Sequence, residues 1–312
     1  VDNHSRPTFH VSFYGPRYWF TWLGLGFFHL LGYLPMGLSL GVGRLIGDLF
    51  YVAAPSRRRI AEVNIARCFP HLSALEQKRL VRKTMHSTGK SIIESAVALW
   101  GPVRQLQRRY SISGLEHIHA AQLRGQGVLL VSCHLTTMDA AGRILAFHVK
   151  FDMLYRKDPN PLLAYKLISA REKYLGGTIV RSDTRQLIKN LRNGHVVWYA
   201  PDQDYGARHS VFAPFFGVQA ASVTGTARIT AMSKAVVLTF AHYRDEQNNY
   251  HITIGPPVEN YPSGDDVADA TRINQVIEAL ILKQPDQYLW VHRRFKTRPE
   301  GEPDFYRKSI AE

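Results

Sequence analysis

The spacing of apolar and polar positions divides the chain near residue 110. Before it, helical intervals dominate. From Tyr18 to Gly43 the run YWFTWLGLGFFHLLGYLPMGLSLGVG holds no Lys, Arg, Asp or Glu over 26 residues, enough to cross a bilayer. Tyr18, Trp19 and Trp22 suit a membrane interface, while Pro35 and six glycines argue against one straight helix. A kinked span, a re-entrant hairpin and a buried apolar helix all fit this pattern. Residues 73–100 read as one helix. Ser73 and Glu76 have the spacing of a capping box, and Leu75, Leu80, Val81, Ile92, Ile93, Ala96 and Val97 recur at helical intervals.

Beyond residue 110 short apolar runs alternate with amphipathic stretches. The pattern predicts strands at 128–133, 151–155, 178–181, 195–200, 236–242 and 250–255, with helices at 140–148, 161–174, 184–192, 222–233 and 267–283. Several of the strands are unbroken apolar runs, as strands buried on both faces are. The expected fold is α/β, a mixed sheet flanked by helices behind a hydrophobic, helical N-terminal region. Residues 1–56 form the expected membrane-anchor region and 57–312 the α/β domain, with 57–110 as its helical lead-in.

Composition adds the partner. Lys and Arg number 39 against 25 Asp and Glu, a net charge of +14. Such an excess points to an anionic surface, protein or nucleic acid, or to a solvated basic exterior. Arg57, Arg58, Arg59 and Arg67 follow the apolar run, the position of cytoplasmic juxtamembrane arginines. The two cysteines, Cys68 and Cys133, are expected to be reduced, because Cys133 falls in a buried strand. Neither a zinc-ligand spacing nor a secretory signal with a small-residue cleavage site is read in the chain.

The chemistry concentrates where VLLVSCHLTTMDAAG (128–142) turns from strand to helix. Ligands of α/β proteins bind beyond the carboxyl ends of strands, and His134 stands there. Asp139 follows five residues later, about 140° around a continuous helix. With His134 in the preceding turn, its ring can fold back to Asp139. The carboxylate then holds one imidazole nitrogen protonated and leaves the other as a general base. Thr136 or Thr137 is the expected helix cap. A Cys133–His134 pair is disfavoured, since adjacent strand residues point to opposite faces, and the metalloprotease pattern HExxH is absent. The plainer reading is a buried capping histidine beside an unrelated acid.

Other strand ends add candidates. Arg156 and Lys157 follow the strand at 151–155 and are placed to bind phosphate or an oxyanion, or simply to be solvated. Asp202, Gln203 and Asp204 in PDQDYG follow the strand at 195–200. They are placed to orient acceptor hydroxyls or hold Arg156, or to form a polar turn. VHRRFKTRP (291–299) gathers basic residues around Trp290 and Phe295, as an anionic docking surface or a basic surface strand.

HxxxxD after a buried strand resembles the lysophospholipid and glycerol-phosphate acyltransferases. The rest of the chain resembles one branch of them, the late acyltransferases of lipid A synthesis. The resembling stretches are RRRIAEVNIARCFPHLSALEQKRL (57–80), VLLVSCHLTTMD (128–139), LYRKDPNPLL (154–163), WYAPDQDYG (198–206), VFAPFFG (211–217) and QYLWVHRRFKTRP (287–299). Asp139 departs from the glutamate usual in that branch. Asn160 enters with the stretch at 154–163, although before Pro161 a turn residue is also expected.

The resemblance implies a glycerol-phosphate-acyltransferase-like fold and an inner-membrane enzyme with its catalytic domain on the cytoplasmic side. It also implies an acyl carrier protein thioester as donor, a lipid A precursor as acceptor, and no cofactor or metal. His134 would take the proton from a hydroxyl of a 3-hydroxyacyl chain on the acceptor, and that oxygen would attack the thioester, delivering a lauroyl- to myristoyl-length chain. Slow hydrolysis of the thioester is the expected side reaction. A phospholipid-making acyltransferase is the alternative within the class. A nucleic-acid-binding protein is suggested by charge alone, without a recognition motif.

Overall fold

The computed structural model describes residues 7–307; the first and last few residues of the two expected segments lie outside that range. Four helices lead the chain: α1 (Trp19–Leu31), α2 (Met36–Ala53), α3 (Pro55–Cys68) and the long α4 (Ala74–Trp100), followed by the one-turn α5 (Arg104–Gln107). Strands and helices then alternate: β1 (Tyr110–Ser113), α6 (Leu115–Leu123), β2 (Val128–Val131), α7 (Met138–Leu145), β3 (Phe151–Tyr155) and α8 (Pro161–Arg171). Next come β4 (Gly177–Val180), α9 (Thr184–Arg192) and β5 (Val196–Tyr199). A hairpin, β6 (Ser210–Phe215) and β7 (Val218–Val223), precedes α10 (Gly225–Ser233), β8 (Val236–Arg244), β9 (Tyr250–Pro257) and α11 (Asp266–Leu282).

Seven strands form a mixed sheet in the order β1-β9-β8-β2-β5-β3-β4. β8, β2, β5, β3 and β4 run parallel, while β9 pairs antiparallel to β8 and carries β1 beside it. β2 is central and buried on both faces. Val128 and Leu130 join the apolar cluster holding Ile93, Ile144, Trp198 and Phe240. Leu129 and Val131 join the opposite cluster with Ile65, Ile277 and Trp290. Each such side chain contributes about 1.5–3 kcal/mol, which fixes the register of the strand that ends at His134.

The uncharged run is not one helix. Residues 32–35 break it between α1 and α2. α1 has 13 residues, about 20 Å of rise against a hydrocarbon core of about 30 Å. α2 is long and apolar enough by length and composition to cross a membrane. It packs along α4 at backbone distance, because a Cβ on Gly89 would lie 2.2 Å from the Gly43 carbonyl oxygen and 2.4 Å from the Gly47 nitrogen. Asp48 of α2 also takes hydrogen bonds from Arg82 at 3.1 Å and His86 at 2.8 Å on α4. The predicted capping box of α4 is formed: Glu76 accepts from the Ser73 N–H at 2.8 Å, and Ser73 accepts from the Glu76 N–H at 3.4 Å.

The hairpin is a departure from the expected elements. Residues 218–223 form β7, so the helix predicted at 222–233 begins at Gly225. Phe216 and Gly217 turn the hairpin at φ 49° and 75°, the left-handed pair of a tight hairpin. Cys68 and Cys133 are both free and buried.

Candidate active site

β2 and β5 are neighbours in parallel register, Val131 beside Tyr199, and the Ser132 N–H donates to the Tyr199 carbonyl at 2.9 Å. Three residues beyond each strand end stand His134 and Asp202. The site follows from this alignment. His134 Nδ1 lies 2.6 Å from Asp202 Oδ1, and the His134 backbone N–H donates to Asp202 Oδ2 at 3.0 Å. A carboxylate only accepts, so Nδ1 carries the proton and Nε2 keeps its lone pair. Asp202 is buried, whereas the His134 side chain is 27% exposed.

Burial opposes a charged His134 ring. The Asp202 charge and hydrogen bond outweigh it, so His134 holds its proton above the usual histidine range. Burial likewise pushes Asp202 up, and His134 brings it below the ordinary carboxylate value. The Tyr288 hydroxyl faces the same carboxylate and is pushed well up, by burial first and then by the Asp202 charge.

The expected pairing of His134 with Asp139 is corrected by this geometry. Asp139 lies in the first turn of α7 and faces α4 and α8. Its Oδ1 accepts from Arg171 Nη2 at 2.9 Å and Nε at 3.3 Å, and its Oδ2 from Ser95 Oγ at 2.6 Å. Burial raises Asp139, but Arg171 and Ser95 bring it below the usual range. Asp139 and Arg171 therefore form a half-buried ion pair of their own. Removing either partner would strand the other charge.

The His134 turn is strapped from the far end of the chain. Leu135 bridges Tyr288, Leu289 N–H donates to the His134 carbonyl at 3.0 Å, and Thr136 N–H donates to the Gln287 carbonyl at 2.7 Å. Gln287 is in turn held by the Arg244 backbone at 2.9 and 2.6 Å, and the buried Arg244 is paired with Glu94. Beneath the turn lies His242. Its Nδ1 is 2.8 Å from Thr137 Oγ1 and its Nε2 3.3 Å from Ser132 Oγ. Burial pulls it down to about 3, so it is neutral and spans both ends of the turn. Thr137 occupies the cap position of α7 but makes no side-chain cap bond, because its hydroxyl is turned to His242. That corrects the expected threonine cap.

Arg156 and Lys157 follow β3 at the same carboxyl edge of the sheet, Arg156 exposed. Asn160 is a structural residue. Its Oδ1 caps α8 through the N–H groups of Leu162 and Leu163 at 3.1 and 3.2 Å, and its Nδ2 donates to Thr21 of α1 at 2.9 Å. Asp204 is likewise engaged, accepting from the Thr297 N–H at 2.6 Å, the Thr297 hydroxyl at 2.8 Å and the Gly206 N–H at 2.8 Å. Neither is free to orient an acceptor. Gln203 stays half-exposed between the two aspartates.

The basic stretch at 291–299 is no strand. Arg294 is buried on the Ala221 carbonyl at 2.7 Å and the Ser222 hydroxyl at 3.0 Å, and Arg298 holds the Gln219 carbonyl and Glu302. Arg293 and Lys296 are exposed. His292 is lowered by burial, with Asp202 and His134 acting on it in opposite senses.

The sequence matches the family of bacterial lipid A biosynthesis acyltransferases over residues 6–297. It is 37% identical to the lipid A biosynthesis lauroyltransferase of Escherichia coli K12, across 97% of this chain and 99% of that one. It is 35% identical to the palmitoleoyltransferase of the same strain, across 96% and 98%, and 29% identical to its myristoyltransferase, across 97% and 94%. Among solved structures, the 1-acyl-sn-glycerophosphate acyltransferase of Thermotoga maritima aligns with a TM-score of 0.37 at 15% identity, across 79% of this chain and 94% of that one.

Proposed function

The chain belongs to the bacterial lipid A biosynthesis acyltransferases, and from that premise we propose that it moves a lauroyl- to myristoyl-length chain from an acyl carrier protein thioester to a hydroxyl of a 3-hydroxyacyl chain on a lipid A precursor. The observation that carries this reading is the free Nε2 of His134, opposite an Nδ1–H held by Asp202. Nε2 removes the hydroxyl proton as the acceptor oxygen bonds to the thioester carbonyl carbon. The carbonyl electron pair moves onto oxygen. Collapse of that adduct breaks the carbon–sulfur bond, and the imidazolium returns its proton to the departing sulfur. Water in the place of the acceptor gives slow hydrolysis by the same base. The net charge of +14 and the exposed Arg156 suit a phosphorylated acceptor and an acidic carrier. The test is mass spectrometry of the lipid formed by purified enzyme, acyl carrier thioester and an under-acylated lipid A precursor. One added acyl ester is expected, and an acceptor recovered unchanged overturns the reading.

The membrane attachment belongs to the same proposal. On α1, Phe20, Leu23, Phe27 and Leu30 are exposed along one face, and on α2 Leu38, Leu45, Leu49 and Val52 are exposed along another. α2 is tied to the charged α4 on its other side, which favours two helices lying in the interface over an isolated span. The inner membrane, with the catalytic domain on the cytoplasmic side, suits the arginines at 57–59 and a donor made in the cytosol. Replacing Phe20, Leu23 and Phe27 together by Glu is expected to weaken co-sedimentation with anionic vesicles at least about tenfold, since three exposed apolar side chains that would enter the bilayer are lost. Unaltered sedimentation removes this face from the membrane.

A further inference from the structure

We propose that the Thr136 hydroxyl and the open N-terminus of α7 form the oxyanion site of the transfer reaction, with the Asp139 N–H as its backbone donor. The inference rests on the base assignment made above for His134. α7 begins four residues after that histidine and has 8 residues. The first N–H groups of a helix have no partner within it and carry the positive end of its dipole. Here the usual side-chain cap is withdrawn. Thr137 gives its hydroxyl to His242 at 2.8 Å, and among the described residues the N–H groups of Asp139 and Ala140 have no acceptor.

The second observation is independent of the helix. Thr136 is 8% exposed, and its Oγ1 is buried without a hydrogen-bond partner. Its backbone N–H is already spent on the Gln287 carbonyl at 2.7 Å, so the residue is held in place while its hydroxyl is left over. A buried unpaired hydroxyl costs stability in the free protein, and this one stands two residues from the base and one before the helix cap. A negatively charged oxygen there is the partner it lacks. It would accept from the Thr136 O–H and the Asp139 N–H as the carbonyl electron pair moves onto it.

The acid in the first turn does not oppose this. Both Asp139 oxygens are occupied, one by Arg171 of α8 and the other by Ser95 of α4, so its charge is balanced by its own partners. The Asp139–Arg171 pair thus leaves the positive end of α7 available to an anion, a different part from the orienting role its spacing suggests.

The test compares Thr136→Val, which keeps the shape and removes the hydroxyl, with Thr136→Ser, which restores it. Thr136→Ala stands in should the valine variant fail to fold by circular dichroism. Loss of a donor used only in the transition state lowers kcat and leaves KM near its original value. The hydroxyl-free variant is expected to lose at least about tenfold in kcat for both lipid transfer and thioester hydrolysis, because the two reactions pass through the same oxyanion. The serine variant is expected to recover most of that loss. A folded hydroxyl-free variant whose kcat stays within about twofold of the parent overturns the proposal, as does a serine variant no better than it. His134→Ala separates the premises. If it is inactive while Thr136→Val is fully active, the oxyanion assignment alone is wrong. If it remains active, the base assignment has failed and this inference with it.

Discussion

His134→Ala enzyme, folded by circular dichroism, is expected to lose at least about a hundredfold in lipid transfer, and its thioester hydrolysis is expected to fall with it. Removing a positioned general base costs about 10²–10⁴ in rate. Among the described residues no second imidazole or thiol at the end of β2 is free to take its place. His242 is buried and neutral with both ring nitrogens bonded, and the Cys133 thiol is fully buried with its proton held well above the usual range by burial. His292 couples electrostatically to Asp202 and His134, but its Nε2 is buried and without a partner. The measurement is paired: product lipid by mass spectrometry, and free fatty acid released from the thioester with and without acceptor. Hydrolysis that persists at the parent rate while transfer disappears would mean that two bases serve two reactions, and the common mechanism would be discarded.

That histidine was readable because a buried parallel strand leaves so little choice. VLLV has no polar residue to place, both faces are filled, and the first imidazole after it falls at the carboxyl edge where α/β ligands bind. The strand at 151–155 was legible from its apolar residues around the single Asp152, and the helix at 184–192 from the spacing of Leu187, Ile188 and Leu191. The hairpin at 210–223 was less legible. Its turn is Phe-Gly, not a polar pair, and Pro214 interrupts the first strand, so the stretch shows no clear alternation.

The partner of His134 was harder to see, for a geometric reason. Sequence distance favours Asp139, five residues away, yet the first turn of α7 points that carboxylate at Arg171 and Ser95. Asp202 is 68 residues away. It becomes a neighbour only because β5 lies beside β2 in parallel register, a pairing that composition and period do not specify. A usable signal was present all the same: each of the two strands is followed, three residues on, by one member of a His–Asp pair. Asn160 enters as a candidate with the family-like stretch at 154–163, and Asp204 as a polar residue following the strand at 195–200. Their bonds to Thr21 and Thr297 come from segments more than ninety residues distant in sequence, beyond what local spacing can report.

The two aspartates are expected to give different losses, which is the sharpest check on the pairing. Asp202→Asn places an amide where a carboxylate held the Nδ1 proton. An Asn Nδ2–H group facing Nδ1 selects the other tautomer, with the proton on Nε2, and the base is lost; a loss of about a thousandfold or more follows. The pH profile supplies the sign. In the parent, burial favours the neutral His134 ring but Asp202 outweighs it, so the proton is held above the usual histidine range. In the proposed mechanism activity requires the neutral ring, and the acid limb of kcat/KM is therefore expected above the pH of a free histidine. Without the Asp202 charge, burial is left unopposed and the limb moves to lower pH. Tyr288 and His292 also couple to this pair; neither replaces the carboxylate on Nδ1. Asp139→Asn acts elsewhere. It leaves the half-buried Arg171 charge without its counterion, and it is expected to lower Tm by a few degrees while leaving the acid limb where it was. If the limb instead shifts down in Asp139→Asn and stays in place in Asp202→Asn, the orienting acid is Asp139 and the pairing described here does not operate in the working enzyme.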